Sequence, residues 1–214
     1  MRKHKSISNK VLDRVKKHII ENLKLYIIVA IFFVIGIIAG VICYNSLDEG
    51  SKENCCNYID SFVQNIREGY EVDNNELLRN TIINNIFFTI ALWFIGCTII
   101  GLPIVYGMIS FKGFSLGYTI CCLIGTLGTY KGIIFCFLSL FIQNILAIPA
   151  YLGMGVSGNK LYNSIMMDKR KENIKIEILK HTLFCILMLA FLIFASILES
   201  YVSASLLQIY TKSV

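Results

Sequence analysis

Polar side chains inside long apolar runs are the residues of this sequence that could do chemistry. At membrane depth a polar group is costly against lipid, so each is expected to face the interior of a helix bundle. The amides would there form interhelical hydrogen bonds, each typically worth about 0.6–2 kcal/mol, or line a polar route for a solute. A carboxylate near the end of a run could instead extend to the membrane surface. The residues are Asn84, Asn85, Gln143, Asn144 and, near the end of the last run, Glu199.

Patterns that mark an active site are missing from the sequence. Two of the three histidines, His4 and His18, lie in the basic start, and His181 opens the last apolar run, far from Glu199. The stretch from Gly125 to Lys131 lacks the G-x-x-x-x-G-K-[ST] spacing of a phosphate-binding loop. We therefore expect no enzyme, no catalytic residue and no cofactor.

The cysteines do not form a metal-binding pattern. Six of the eight lie inside or at the end of apolar runs, where a thiol behaves as a small hydrophobic side chain. Only Cys55 and Cys56 lie in a polar segment, and no second pair exists to complete a zinc site. No metal is expected, whereas a disulfide involving Cys55 or Cys56 stays open.

The composition is typical of a multi-pass membrane protein. The 214 residues are 56% hydrophobic and 16% charged, and the mean hydropathy is +0.65. Because backbone groups in lipid must be paired within the chain, the pattern predicts an all-α membrane helix bundle. Lys and Arg exceed Asp and Glu by six, but the excess lies in segments expected to face the anionic cytoplasmic leaflet. Nucleic acid is therefore not an expected partner; membrane lipid is.

Five crossings are predicted, with the N-terminus in the cytoplasm and the C-terminus outside. With this orientation fifteen of the 20 Lys and Arg residues lie on the cytoplasmic side. The predicted segments are a cytoplasmic basic amphipathic segment (1–24), a first span (25–44), an extracytoplasmic segment (45–81), further spans at 82–111, 114–129 and 133–154, a cytoplasmic basic loop (155–180), a last span (181–202) and an outer tail (203–214).

Several local features refine this plan. Pro103, after Gly101, is expected to kink the second span, and Pro149 lies within the fourth. Lys112 and Gly113 are predicted to form a tight cytoplasmic turn. Residues 114–129 are short for a crossing, so a full span and a re-entrant segment both fit. Asp73, with Glu76 three residues later, is predicted to cap the helix that enters the membrane.

Two kinds of surface could bind a partner. Gly36 and Gly40, like Gly113 and Gly117, offer small-residue faces that suit helix packing or the docking of a partner helix. The extracytoplasmic segment should contain an amphipathic helix that presents an apolar face to the membrane interface or to a partner. On that face we expect Tyr58, Phe62 and Ile66.

A set of short motifs distributed along the chain resembles the stage II sporulation protein M family. The motifs are Trp93-x-x-Gly96, Ile100-Gly101-Leu102-Pro103, Lys112-Gly113-x-x-x-Gly117-Tyr118-Thr119, Lys131-Gly132, Gln143-Asn144-x-x-x-Ile148-Pro149-Ala150-Tyr151 and Glu199-x-Tyr201. The broader family carries His-Gly and Glu-Leu where this chain has Lys131-Gly132 and Gln143-Asn144, which favours the sporulation branch.

The resemblance implies a non-catalytic membrane protein of the engulfment machinery, located on the mother-cell side of the sporulation septum. Similar proteins are thought to recruit and anchor two peptidoglycan hydrolases, one of amidase/endopeptidase type and one of lytic-transglycosylase type, while septal wall is thinned. A homo-oligomer stays open. The alternative is a small transporter or channel subunit that uses the intramembrane amides as a polar route.

Overall fold

The computed structural model describes residues 20–67, 74–98, 101–167 and 174–203, and these ranges consist of helices and short turns without a strand. The all-α fold is therefore confirmed. The predictions for residues 1–19, for Asp73 and for the tail from residue 204 lie outside the described residues. The helices are α1 (Leu23–Asn45), α2 (Glu49–Arg67), α3 (Asn74–Gly96), α4 (Gly101–Leu127), α5 (Thr129–Cys136), α6 (Ile142–Met167) and α7 (Ile174–Leu198), with π-helical stretches at Phe137–Phe141 and Glu199–Ser203.

Within the described residues, four helices are long and apolar enough to cross a membrane: α1, α3, α4 and the stretch Ile174–Val202 that begins with α7. A fifth crossing is counted if Thr129–Phe141 and Gln143–Met166, which meet at 55°, form one broken span. The polytopic architecture is thus confirmed, and the orientation of the termini stays a prediction. The first predicted span, residues 25–44, matches α1 within two residues.

The predicted turn at Lys112 and Gly113 is wrong, because both residues lie inside the continuous helix α4. One helix instead ends at Gly96 and the next begins at Gly101, so the boundary predicted between the spans 82–111 and 114–129 is at the wrong place. Pro103 lies in the first turn of α4, where a missing backbone N–H costs no helical hydrogen bond, and it starts a helix rather than kinking one.

The predicted end of the fourth span is also wrong. Gly128, at φ +79°, separates α4 from α5, and after the bend α6 continues to Met167. Val156 and Asn159, assigned to the cytoplasmic loop, are buried in the bundle. The basic residues that suggested a loop cluster after residue 167, and only Lys160 lies within 155–167. Likewise α7 begins at Ile174, seven residues before the predicted start of the last span.

The bundle contains two cores. The main core joins α1, α3, α4, α6 and α7 through fully buried side chains such as Val29, Leu92, Ile109, Met154 and Leu192. A smaller core lies at the end of the bundle where α2 packs, and it contains Tyr44, Ile59, Cys122, Leu123 and Phe135. Large apolar residues on the outer faces, among them Ile31, Phe87, Ile186 and Phe194, are about half exposed or more, as lipid-facing residues should be.

Candidate functional site

Glycines of α1 and α4 bring the two backbones into direct contact. A Cβ placed on Gly40 would lie 2.3 Å from the Phe114 carbonyl oxygen, and one on Gly117 would lie 2.4 Å from that of Ile37. Ser110 Oγ adds a 2.8 Å hydrogen bond to the Phe32 carbonyl. Gly36, Gly40, Gly113 and Gly117 thus pack against each other's helices. The prediction that these glycines form exposed faces for a partner helix is wrong, because the glycine faces of α1 and α4 are both buried within the chain.

The amphipathic helix α2 covers one end of the bundle. Ile59 and Ile66, at 9% and 3% exposure, face inward, and Val63 packs against the smaller core. Tyr58 and Phe62, one turn apart, remain exposed at 78% and 42%. Of the three side chains predicted to form one outer surface, Ile66 is therefore buried. The helix docks onto its own bundle with half of its apolar face and leaves an aromatic pair free.

Asp48 caps the start of α2. Its Oδ2 accepts a 3.1 Å hydrogen bond from the Ser51 backbone N–H. Hydrogen bonds from the side chain and backbone of Ser51 lower the pKa of the Asp48 carboxyl, because they stabilise its charged form. The cap fixes where α2 begins, and so fixes which side chains reach the bundle.

Thiols collect where α2 meets α4. Cys55 Sγ lies 3.3 Å from the Tyr118 hydroxyl, and the Thr126 hydroxyl donates to Cys56 Sγ at 3.4 Å. Cys55 also packs against the smaller core, which contains the buried Cys122 of α4. All eight cysteines are free thiols, and within the described residues no group of Cys, His, Asp and Glu has the arrangement of a metal site.

A chain of neutral hydrogen bonds crosses the bundle between α6, α3 and α7. The Tyr151 hydroxyl donates to Asn85 Oδ1 at 2.7 Å, and Asn85 Nδ2 donates to Ser196 Oγ at 3.0 Å. Asn85, at 3% exposure, therefore faces the interior as predicted. Its neighbour Asn84 is exposed, so the expectation that it also faces inward is wrong. Adjacent helical residues point about 100° apart, and only one of the two amides can face the core.

Lys112 was predicted to lie in a cytoplasmic turn but contacts the polar network inside the bundle. Its Nζ lies 4.6 Å from the centroid of the Phe88 ring and 5.2 Å from that of Tyr151, which is cation–π geometry. Glu199 acts on it electrostatically through space. Within the described part of the chain, however, the ammonium group has neither a hydrogen bond nor a direct ion pair.

Glu199 lies in the π-helical stretch that follows α7. Its Oε2 is buried without a hydrogen-bond partner among the described residues. Two residues later, the Tyr201 hydroxyl donates to Asn75 Oδ1 at 3.3 Å. Glu199 therefore faces the bundle interior. The bond between Tyr201 and Asn75 ties the end of the last span to the start of α3.

A partly open cavity of about 160 Å³ lies between α4 and α6. Its wall contains Gln143 and Asn144, two of the predicted intramembrane polar residues, together with Lys112 and Tyr151. The Asn144 amide donates to the Leu140 carbonyl at 2.8 Å, within the π-helical stretch before α6. That bond satisfies a backbone oxygen at the bend, so Asn144 has a structural role as well as a position in the cavity wall. Pro149, one turn and a half further on, points away and is exposed.

A second polar cluster lies near the end of α3, where α6 and α7 approach. Ser157 Oγ and His181 Nδ1 are 2.8 Å apart, and the Trp93 indole N–H donates to Thr182 Oγ1 at 2.9 Å. His181 is 2% exposed, and a Cβ on Gly96 would lie 3.1 Å from its Nε2. Gly96 therefore makes room for the imidazole ring. Sequence reasoning missed this cluster because Ser157 was assigned to a loop.

The comparisons with known proteins identify the family. A family model described as stage II sporulation protein M matches residues 29–204. The chain belongs to the stage II sporulation protein M family. No match was found among curated proteins or among solved structures. As a member of this family, the chain is a sporulation-related, multi-pass membrane protein. The matched range contains Lys112, Glu199, the cavity and the whole of α2.

Proposed function

We propose that this stage II sporulation protein M family member is a non-catalytic membrane scaffold that recruits and anchors peptidoglycan hydrolases at the sporulation septum. There it supports thinning of the septal wall and engulfment of the forespore from the mother-cell side. The family match over residues 29–204 carries the proposal. The partners are a hydrolase of amidase/endopeptidase type and one of lytic-transglycosylase type.

The packing of the bundle supports a rigid platform. The backbones of α1 and α4 are in direct contact. A Cβ added to Gly113 would lie only 2.2 Å from the Phe33 carbonyl oxygen, so the two helices have no room to approach further. The main core is continuous across five helices. A platform of this kind can hold a partner at a fixed position relative to the membrane.

The exposed aromatic pair of α2 supports a partner-binding role for the outer segment. Tyr58 and Phe62 are one helical turn apart, so they form a single patch. Aromatic residues of this kind dominate the energetics of protein interfaces. We propose that the region of a hydrolase next to its membrane anchor binds this patch, while Ile59 and Ile66 hold α2 to the bundle.

Affinity purification of tagged protein from membranes of sporulating cells, in mild detergent and followed by mass spectrometry, tests the proposal. The wild type should recover a wall hydrolase with a single membrane helix, and the variant Tyr58→Ala/Phe62→Ala should recover several-fold less. Tyr130→Ala is the matched control, because Tyr130 is equally exposed, at 79%, but lies outside α2. Recovery of a transport ATPase without any hydrolase would overturn the scaffold proposal.

The cavity between α4 and α6 favours a second candidate, a transporter or channel subunit. Gln143 and Asn144 line that cavity, as a polar route would require. Beyond Tyr151, however, the side chain of Asn85 is buried and is hydrogen-bonded through both its oxygen and its nitrogen. Labelling of single cysteines introduced at Asn85, Gln143 and Asn144 separates the candidates. A route for solute predicts water access at all three positions, whereas a scaffold predicts protection at Asn85.

A further inference from the structure

Lys112 presents a positive charge at the middle of the membrane-spanning bundle. It lies eleven residues from Gly101 and fifteen from Leu127 on the unbroken helix α4. At about 1.5 Å per residue these distances are roughly 16 Å and 22 Å, which places the residue deep in a hydrocarbon layer about 30 Å thick. The ammonium group rests on the rings of Phe88 and Tyr151 and so does not extend to either surface.

The ammonium group of Lys112 has three donors and no acceptor in the part of the chain that the structure describes. Glu199 acts on it only through space, and the Glu199 carboxylate is not part of the cavity wall. The open side of the amine is the cavity, where the Gln143 amide is a further donor. The cavity therefore fits a group with strong acceptor oxygens.

We propose that this cavity receives the carboxylate of an Asp or Glu carried near the middle of a partner's membrane-spanning helix. Intramembrane charges are found paired with one another, and depth selects this source of the carboxylate. The head group of a lipid lies at the membrane surface, about half a hydrocarbon thickness away, and a free anion would have to cross apolar chains. Only a side chain fixed on a spanning helix arrives at the level of Lys112.

The surface around the cavity suits a helix. Leu116, Leu140 and Ile148 line the cavity and are partly exposed, so apolar side chains border it. A spanning helix could pack on these side chains while its carboxylate enters between them. The glycine faces of α1 and α4 are already occupied by each other, so this opening is the better site for a partner's helix. The inference rests on the proposed scaffold function and specifies how one partner is held.

Synthetic spanning peptides test the inference without knowledge of the partner. One peptide is a Leu/Ala helix with Lys flanks and a central Glu, and the matched peptide carries Gln at that position. Association with the purified full-length protein in nanodiscs of zwitterionic lipid is measured by fluorescence energy transfer. The Glu peptide should bind the wild type about tenfold more tightly than the Gln peptide. The preference should disappear in Lys112→Met, return in Lys112→Arg and be unchanged in the control Lys131→Met, whose side chain is exposed.

The comparison of the two peptides on the wild type needs no variant, so it decides the question even if Lys112→Met fails to fold. Equal binding of the peptides, binding of neither, or a Glu preference that survives in folded Lys112→Met would overturn the inference. Loss of the preference when the nanodiscs contain phosphatidylglycerol would assign the cavity to lipid and also overturn it. Recovery of hydrolases from cells is a separate measurement, so failure of the scaffold proposal and failure of this inference can be told apart.

Discussion

Gly36 of α1 faces the carbonyl oxygen of Ser110 of α4 so closely that a Cβ on the glycine would lie 2.0 Å from it. That oxygen belongs to helix backbone, so no side-chain movement can relieve the overlap. Without interhelical hydrophobic attraction in lipid, such close approach is a main source of helix association. The pairing of the first and third membrane helices thus depends on single glycines.

Gly36→Ala should destabilise the protein by about 1–3 kcal/mol, since the two helices must separate to admit one methyl group. Gly107→Ala is the matched control, because Gly107 is also helical but has no atom within 4 Å of an added Cβ. It should be neutral or slightly stabilising, as Ala is the better helix former. Thermal unfolding in detergent measures both. Equal melting temperatures for Gly36→Ala and the wild type would contradict the described α1–α4 contact.

Tyr151→Phe should destabilise the bundle by about 0.6–1.7 kcal/mol, the range of a single interhelical hydrogen bond in a membrane protein. The substitution removes the donor to Asn85 Oδ1 and leaves that buried oxygen unpaired. Tyr130→Phe, at an exposed position, should have no effect. In a double-mutant cycle with Ser196→Ala, which removes the other partner of Asn85, the two effects should be non-additive. Additive effects would show that the three side chains do not act as one network.

Sequence patterning predicted the class of fold, and it failed where charge was taken as a sign of an aqueous loop. Continuous apolar runs placed α1 correctly, because nothing in a lipid-spanning helix competes with that signal. A turn was predicted at Lys112 because a single Lys next to Gly between two apolar runs usually lies in water. It instead lies on two aromatic rings from α3 and α6, residues 24 and 39 positions away, and no local pattern records that contact.

The same limit explains the other errors. Asn84 and Asn85 are equivalent in sequence, and only the rotation of α3 in the bundle decides which one reaches Ser196. Gly36 and Gly113 were recognised as packing residues, but their partner could not be read from one chain, since small faces fit each other as well as a foreign helix. Spacing identifies small and polar residues on a helix, but it does not identify what those residues touch.

A cysteine at position 112 should be protected from water-soluble maleimides, because α4 passes through the membrane there without a turn. In a protein without native cysteines, Lys112→Cys should label at least about tenfold more slowly than Lys131→Cys, whose position is exposed near the start of α5. Comparison of intact cells with permeabilised ones would also test the predicted orientation, in which residue 131 lies outside. Rapid labelling at 112 from the cytoplasm would restore the turn that the structure replaces.

Asp48→Ala should loosen the first turn of α2, since it removes the acceptor of the Ser51 backbone N–H. The pKa of Asp48 is lowered in the folded protein, so its contribution is present above the ordinary carboxyl pKa of about 3.9 and is lost as the pH falls below it. Hydrogen exchange of residues 49–58 should accelerate in the variant at neutral pH. Asp60→Ala, an exposed acid on the same helix, is the control, and equal exchange in the two variants would contradict a capping role.

Oxidation can test where α2 lies on the bundle. Cys55 on α2 packs against the smaller core, which contains Cys122 of α4, whereas Cys185 lies in the main core on α7. In a variant that keeps only Cys55 and Cys122 of its cysteines, mild oxidation with copper phenanthroline should join the two thiols into one disulfide. Two protons and two electrons pass to the oxidant. The pair Cys55 and Cys185 should remain unlinked.

Because Ile59 and Val63 hold α2 in this register, Ile59→Asp should slow formation of the bond several-fold, as measured by mass spectrometry of unreduced peptides. Links between molecules in place of the internal disulfide would mean that α2 leaves the bundle, and the exposed face with Tyr58 and Phe62 would then no longer be defined.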